Sequence, residues 1–228
     1  MRVAVAILAL AAAHVSTGSR DTFALERDAL VQQLANRGIR SSRVLAAMRA
    51  VPRHLFVPDA YRTSAYVDTP LPIGLGQTIS QPYVVAAMTE LLDAGARDRI
   101  LEIGTGSGYQ AAVLSGLAGE IYTIELEPEL ARTASARLRT LGYRNIFVKE
   151  GDGYLGWPEK APFDRIILTA APPVVPAALI DQLKPGGRLV APVGITDQWL
   201  HVIEKTRDGR ITKRTVLPVR FVPMRRAQ

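Results

Sequence analysis

The sequence predicts an α/β fold: a doubly wound, mostly parallel sheet with a helical segment before it and a β-hairpin after it. Three observations carry this. From Arg99 onward, short apolar runs alternate with amphipathic ones, as strands joined by right-handed helical crossovers do. Some runs are apolar throughout, such as Ile166-Ile167-Leu168, which suits a strand covered on both faces. Third, Ile100-Leu101-Glu102-Ile103 stops at Gly104-Thr105-Gly106-Ser107-Gly108, and a helical pattern follows in Ala111, Ala112, Val113, Leu114 and Leu117. That is strand, tight turn, helix.

Taken in order, the chain opens with an extension over residues 1–20. Arg2 precedes an apolar run, and no acid occurs before Asp21. The run resembles a secretory signal with a small-residue exit at Ala11-Ala12-Ala13. It is too short to span a bilayer, which takes about 20 apolar residues. The plainer alternative is a non-conserved extension or a misplaced start codon. Helical periodicity covers residues 23–36 (Phe23, Leu25, Leu30, Val31, Leu34), with Arg37-Gly38 as the stop. Ser41 or Ser42 caps a second helix carrying Val44, Leu45 and Met48, ended by Pro52. Residues 51–81 lack clear periodicity, and so long a stretch inside a compact domain is usually functional. Pro82 opens a helix with Val84, Val85, Met88, Leu91 and Leu92. Strands are predicted at 99–103, 120–124, 145–149, 164–169 and 187–193, and helices at 108–117, 128–141 and 176–183. Two last runs, Leu200-His201-Val202-Ile203 and Thr215-Val216-Leu217, form a hairpin through Asp208-Gly209.

Composition narrows the function. Of 228 residues, 48% are hydrophobic and 21% charged, enough for a core and too apolar for disorder. There is no cysteine, which excludes disulfides, thiolate metal sites and cysteine nucleophiles. The net charge is +7, concentrated near the C-terminus (Lys205, Arg207, Arg210, Lys213, Arg214, Arg220, Arg225, Arg226). Nucleic-acid binding is one reading of that excess; a solvated basic surface that attracts acidic substrates is the favoured one.

The glycine turn points to a nucleoside-containing cofactor. Glycine lets a ligand lie against the backbone, and the next helix aims its free N–H groups at the same place. Glu125 ends the second strand, about 20 positions on, where an acid suits the two hydroxyls of a ribose. The third strand feeds Gly151-Asp152-Gly153; Asp152 either accepts from an adenine amine or bonds its own turn backbone, and beside the first two sites the ligand role is the favoured one. The loop lacks the Lys-Ser/Thr ending of a phosphate-binding loop. Its third glycine follows after one residue rather than two, and Glu102 places a carboxylate beside it. A carboxylate repels pyrophosphate and suits a sulfonium and an α-amino group, so S-adenosyl-L-methionine is the expected cofactor.

Upstream, Pro70-Leu71-Pro72-Ile73-Gly74-Leu75-Gly76-Gln77-Thr78-Ile79-Ser80-Gln81-Pro82 mixes stiff prolines, permissive glycines and small polar side chains. It reads as a lid or substrate cleft, with Ile73, Gln77, Thr78, Ile79 and Ser80 as the binding candidates and Ser80 as the catalytic one. Ser80 is also placed to cap the helix at Pro82. His14, His54 and His201 fall in no pattern that suggests a base, and no metal-ligand spacing occurs. An acceptor that needs no base is an oxygen already ionised. A carboxylate, with a reference pKa near about 4, can attack a methyl sulfonium directly. Catalysis then reduces to positioning and desolvation. A hydroxyl suits that orienting task, whereas a fixed arginine pair would blunt the nucleophile.

From about residue 25 to Arg226 the sequence resembles the protein-L-isoaspartate (D-aspartate) O-methyltransferases. The resemblance lies in Val51-Pro52-Arg53-His54-Leu55-Phe56-Val57-Pro58, Leu71-Pro72-Ile73-Gly74, Gln77-Thr78-Ile79-Ser80-Gln81-Pro82 and the glycine loop through Tyr109. It continues in Gly151-Asp152-Gly153, Gly156-Trp157-Pro158, Ala161-Pro162-Phe163-Asp164, Gln182-Leu183-Lys184-Pro185-Gly186-Gly187-Arg188 and Val219-Arg220-Phe221-Val222-Pro223. It implies a class I S-adenosylmethionine-dependent methyltransferase, Rossmann-like, forming one domain over 21–228. Residues 21–92 would be its helical, substrate-cleft part and 99–228 its cofactor-binding α/β core. The implied reaction methylates the free α-carboxylate of L-isoaspartyl residues in damaged proteins and peptides. The ester collapses to a succinimide whose hydrolysis returns part of the material to aspartate; D-aspartyl residues are a further substrate class. The resemblance implies Ser80 as the active-site residue, joined by Thr78 and Ile79. It implies the loop of Gly104, Thr105, Gly106 and Gly108, with Glu125 and Asp152, around the cofactor; Glu102 and Gly151 join them as cofactor-binding candidates from the residues beside the loop. His54 departs from the acidic or other polar residue of many members. A cytoplasmic monomer is expected, with no nucleic-acid or membrane partner; export to the periplasm is the alternative that residues 1–20 raise. Two other functions compete: an RNA or DNA methyltransferase, and a non-catalytic module that keeps the cofactor fold. Against the first, the fourth strand runs into Thr169-Ala170-Ala171-Pro172-Pro173, with no polar leader or stacking ring.

Overall fold

A computed structural model describes residues 22–227. The signal-like extension lies outside the described residues. Two helices, α1 (Ala24–Asn36) and α2 (Ser42–Ala50), come first. Residues 51–81, which looked irregular, contain two 3-10 turns (Arg53–Phe56 and Asp59–Ser64) and a small hairpin of β1 (Leu71–Gly74) and β2 (Gln77–Ile79). The hairpin escaped the sequence reading because its prolines and glycines read as loop. Its two-residue turn puts Leu75 (φ 53°) and Gly76 (φ 69°) in the left-handed region, which favours asparagine and glycine over leucine.

The rest follows the predicted alternation closely: α3 (Pro82–Leu92), β3 (Arg99–Ile103), α4 (Tyr109–Ser115), β4 (Glu120–Glu125), α5 (Pro128–Thr140), β5 (Ile146–Glu150), β6 (Phe163–Leu168), α6 (Ala177–Asp181), β7 (Leu183–Val193), β8 (Gln198–Lys205) and β9 (Ile211–Val219). These last seven strands form one sheet in the order β5-β4-β3-β6-β7-β8-β9. β5 to β7 pair in parallel, and β8 and β9 add an antiparallel hairpin. β7 starts earlier than predicted. Pro185-Gly186-Gly187 looks like a turn in sequence but lies inside the strand, where pairing with β6 changes register.

Strand alternation sorts the side chains into two layers. Ile100, Ile121, Ile167 and Val190 pack with Met88 and Leu92 of α3 and Leu114 of α4. Leu101, Ile166, Leu168 and Leu189 pack with Leu179 of α6 on the other face. A third cluster joins Leu30, Leu34 and Met48 of the first helices to Tyr109, Ala112 and Val113 of α4 and Leu138 of α5. The N-terminal segment therefore shares a core with the α/β layer. Among buried residues Arg53 stands apart: it is fully buried, donates from Nε to the Ala65 carbonyl (2.9 Å) and lies 4.9 Å from the Tyr109 ring centroid. It pins the irregular stretch to the start of α4.

The sheet reverses its winding direction at β3, between β4 and β6. In open α/β sheets that switch point opens a ligand crevice beyond the carboxyl ends of the strands.

Candidate active site

Two cavities meet at this crevice. The narrower, about 70 Å³, is lined by Gln77, Thr78, Ile103, Gly104, Gly106, Glu125, Gly153, Thr169 and residues 222–225. The wider, about 440 Å³, is lined by Arg37, Thr78, Ser80, Tyr83, Thr169, Leu217, Arg220 and Val222, among others. Thr78, Thr169 and Val222 belong to both walls.

On the first cavity, the loop geometry demands glycine at position 104. Its φ is +100°, and a Cβ there would collide with Thr169 Oγ1. That hydroxyl lies 2.6 Å from the Gly104 carbonyl and 3.0 Å from that of Ile103, so Thr169 ties the end of β6 to the loop after β3. Glu125 is buried and its oxygens accept from the Gly106 N–H (2.7 Å) and the Glu127 N–H (3.0 Å). A carboxylate has about four lone-pair sites, so each oxygen retains capacity toward the cavity.

Other predicted residues sit elsewhere around this wall. Thr105 is buried, its hydroxyl 2.7 Å from that of Thr123. Gly108 packs against Leu138 and admits the close approach of α4 and α5. Gly151 donates to the Glu125 carbonyl (2.9 Å), holding β5 beside β4. Asp152 takes the turn role: Oδ1 accepts from the Tyr154 N–H (2.8 Å), and Oδ2 faces the Ala227 N–H at 3.4 Å. Its neighbour Gly153 is the residue on the cavity wall. Glu102 is fully buried beneath the loop and lines neither cavity. Neither of its oxygens has a hydrogen-bond partner of good geometry among the described residues. Burial pushes its carboxyl up to about 8; the Glu125 charge adds to this and Thr123 offsets part of it. At neutral pH it is protonated.

On the second cavity, Ser80 is half-buried and its hydroxyl makes no hydrogen bond among the described residues. It does not cap α3. That task falls to Asp68, fifteen positions before Tyr83, whose Oδ1 accepts from the Tyr83 N–H (2.8 Å). Asp68 Oδ2 accepts from Gln81 Nε2 (3.1 Å) and pairs with Arg37. Ser80 is thereby left free to face the cleft. Alternation along β2 turns Thr78 out to both cavities and Ile79 inward, 4% exposed. Gln77 borders the narrower cavity only, and Ile73 lies against Gly106 rather than in the wider cleft. Of the predicted substrate residues, the structure brings Thr78 and Ser80 to that cleft. Sequence reading missed Thr169 and Asp68. A threonine directly after the fourth strand was a visible signal for the first; nothing local marked the second.

A roof covers the narrower cavity. Residues 222–224 pair with Ala171 through Ala171 N–H to Val222 O (2.9 Å) and Met224 N–H to Ala171 O (2.8 Å). Tyr154 Oη donates to the Met224 carbonyl (3.3 Å), Arg226 lies 4.1 Å from the Tyr154 ring centroid, and Arg225 pairs with Glu127.

The residues fit the expected cofactor in kind. Gly104 admits a ligand against the backbone and Glu125 offers acceptors for hydroxyls; Glu102, fully buried and protonated, lines neither cavity and offers a cofactor cation no charge, against the sequence expectation of a carboxylate there. A glycine loop at the switch point, an acid ending the next strand and the antiparallel β8–β9 hairpin together fit a class I S-adenosylmethionine-dependent methyltransferase. Within that class the chain belongs to the protein-L-isoaspartate(D-aspartate) O-methyltransferase family, whose pattern it matches over residues 25–228. It is 51% identical to protein-L-isoaspartate O-methyltransferase 1 of Cupriavidus necator, over 97% of this chain and 90% of that one. It is 60% identical to protein-L-isoaspartate O-methyltransferase 2 of Nitrosococcus oceani, over 80% and 84%. A solved protein-L-isoaspartate O-methyltransferase superposes with a TM-score of 0.78 at 30% identity, over 86% of this chain and 65% of that chain. A Plasmodium falciparum structure, solved in complex with S-adenosyl-L-homocysteine, has the same fold, with a TM-score of 0.75 at 24% identity over 88% and 99%.

Proposed function

We propose that this chain methylates the free α-carboxylate of L-isoaspartyl residues in damaged proteins and peptides. The single observation that carries this is the junction of a loop-bounded cavity and an open cleft at Thr78, Thr169 and Val222. When bound, S-adenosylmethionine supplies a methyl group on a positively charged sulfur. Gly104, Gly106 and Glu125 would hold it in the narrower cavity. Ser80 and Thr78 orient the acceptor carboxylate in the wider one. Neither His54 nor His201 lines either cavity, and an ionised carboxylate needs no base. The bound cofactor would supply its methyl group to that ionised oxygen, so the residues of the cleft have an acceptor to orient and no proton to move. The backbone amide nitrogen of the following residue then attacks the ester carbonyl and gives up its proton as methanol leaves, closing the succinimide.

Methyl transfer onto an isoaspartyl peptide, its aspartyl twin and bulk RNA tests the reading. Label on the isoaspartyl peptide alone is expected. Label on RNA and none on that peptide would overturn it in favour of a nucleic-acid enzyme, and cofactor binding without turnover would favour a binding module. A monomer in sedimentation and a cytoplasmic location belong to the same reading, since the cofactor is made in the cytosol. Among the described residues no helix is long and apolar enough to cross a membrane. N-terminal sequencing from the native host tests whether residues 1–20 are removed.

A further inference from the structure

The wider cleft has a charge pattern that methyl transfer itself does not require. Its walls carry two arginines, Arg37 and Arg220, and no aspartate or glutamate among the described residues. The two differ. Arg37 is paired with Asp68 and its guanidinium lies 3.9 Å from the Tyr83 ring centroid, so its charge is already answered. Arg220 is exposed and makes no ion pair or hydrogen bond among the described residues. The nearby basic residues of the tail are also engaged, Arg225 by Glu127 and Arg226 by the Tyr154 ring.

The backbone at Arg220 is nevertheless fixed. Gln198 clamps the next residue, with Nε2 donating to the Phe221 carbonyl (3.1 Å) and Oε1 accepting from the Phe221 N–H (2.6 Å). A free guanidinium is therefore held at the margin of the cleft that Ser80 and Thr78 line. It cannot usefully grip the acceptor carboxylate, because a tight ion pair would lower that oxygen's nucleophilicity. A second carboxylate on the same polypeptide meets no such objection.

We propose that Arg220 selects acceptor polypeptides that carry an aspartate or glutamate beside the isoaspartyl residue. This rests on the methyltransferase reading above and specifies its substrate class. An arginine at a cleft margin acts on binding rather than chemistry, so the preference resides in KM. It weakens as salt screens the pair.

The test uses isoaspartyl peptides with blocked termini that differ only in one flanking residue, Glu, Gln or Lys, placed on either side. For the unaltered protein, kcat/KM is expected to be about fivefold higher with Glu than with Gln on one side, the scale of a partly exposed ion pair, and lowest with Lys. Arg220→Gln is expected to bring the Glu-to-Gln ratio close to one through KM, and Arg220→Glu to invert the order in favour of Lys. Lys213→Gln, a control for overall charge, should keep the original ratio. No flank preference in the unaltered protein, or one retained in Arg220→Gln, overturns the proposal. A fall in kcat common to all peptides in Arg220→Gln also overturns it, since Arg220 would then serve the acceptor itself. Failure to methylate even the Gln-flanked peptide would instead defeat the methyltransferase reading.

Discussion

Ser80 and Asp68 divide two tasks that a sequence places on one residue. A serine before Pro82 is a natural helix cap, but Asp68 supplies the cap and Ser80 keeps a free hydroxyl. Ser80→Ala should therefore leave the melting temperature and cofactor affinity near those of the parent while lowering kcat about 100-fold, the cost of a misoriented acceptor. Unchanged turnover would remove its catalytic role. Glu102 makes a prediction of another kind. Its folded carboxyl is raised to about 8 from 4.5 by burial. The folded state thus holds a proton that the unfolded state has released between those values. The stability this contributes is fully present below the unfolded pKa and is lost as pH rises through the folded one. Glu102→Gln has no proton to lose. The melting temperature of the variant relative to the parent should climb by about 5 °C or more between pH 5 and pH 8. A difference that stays constant across that range would show that Glu102 is already ionised in the folded protein.

Among the elements, the stretch between α2 and α3 depends on one buried arginine. Arg53 holds the Ala65 carbonyl, and its burial depresses its own pKa, chiefly through desolvation. Arg53→Leu would leave that carbonyl unanswered and loosen the hairpin that carries Thr78. Denaturant melts should show a loss on the order of 3 kcal/mol; a loss under 1 kcal/mol would mean that the stretch is held by its other contacts. The C-terminal roof makes the second case. The cavity beneath it, about 70 Å³, is far smaller than the roughly 300–1,000 Å³ of small-molecule sites. A shift of residues 222–227 would widen it for a nucleoside cofactor. Hydrogen exchange with and without S-adenosylhomocysteine should change at Met224 and Ala227 and stay constant in β4. An unaltered tail with ligand bound would place the movement on the β1–β2 hairpin instead.

For the molecule entire, the net charge of +7 predicts weak adsorption to any polyanion. RNA should be retained at low salt, released as salt rises and never labelled; retention that resists high salt would point to a built nucleic-acid surface. The sheet, its helices and the glycine loop were legible because their signals are local. A buried strand must be apolar, an amphipathic helix must repeat every 3.6 residues, and the loop at Gly104 must be glycine because φ is positive there. Those regularities, with Glu125 ending the next strand, reach the fold class and a nucleoside cofactor without coordinates; the particular segments from Val51 to Pro223 add the family resemblance. What they could not reach depends on residues far apart in the chain. Asp68 relieves Ser80 of its cap across fifteen positions, Thr169 meets the loop sixty-five positions upstream, and the tail folds back over Asp152 across seventy-five. Composition carries no trace of such pairings, because each is created when packing brings two unremarkable polar groups within 3.5 Å. Folding alone decides which hydroxyl is spent on structure and which is left for a substrate.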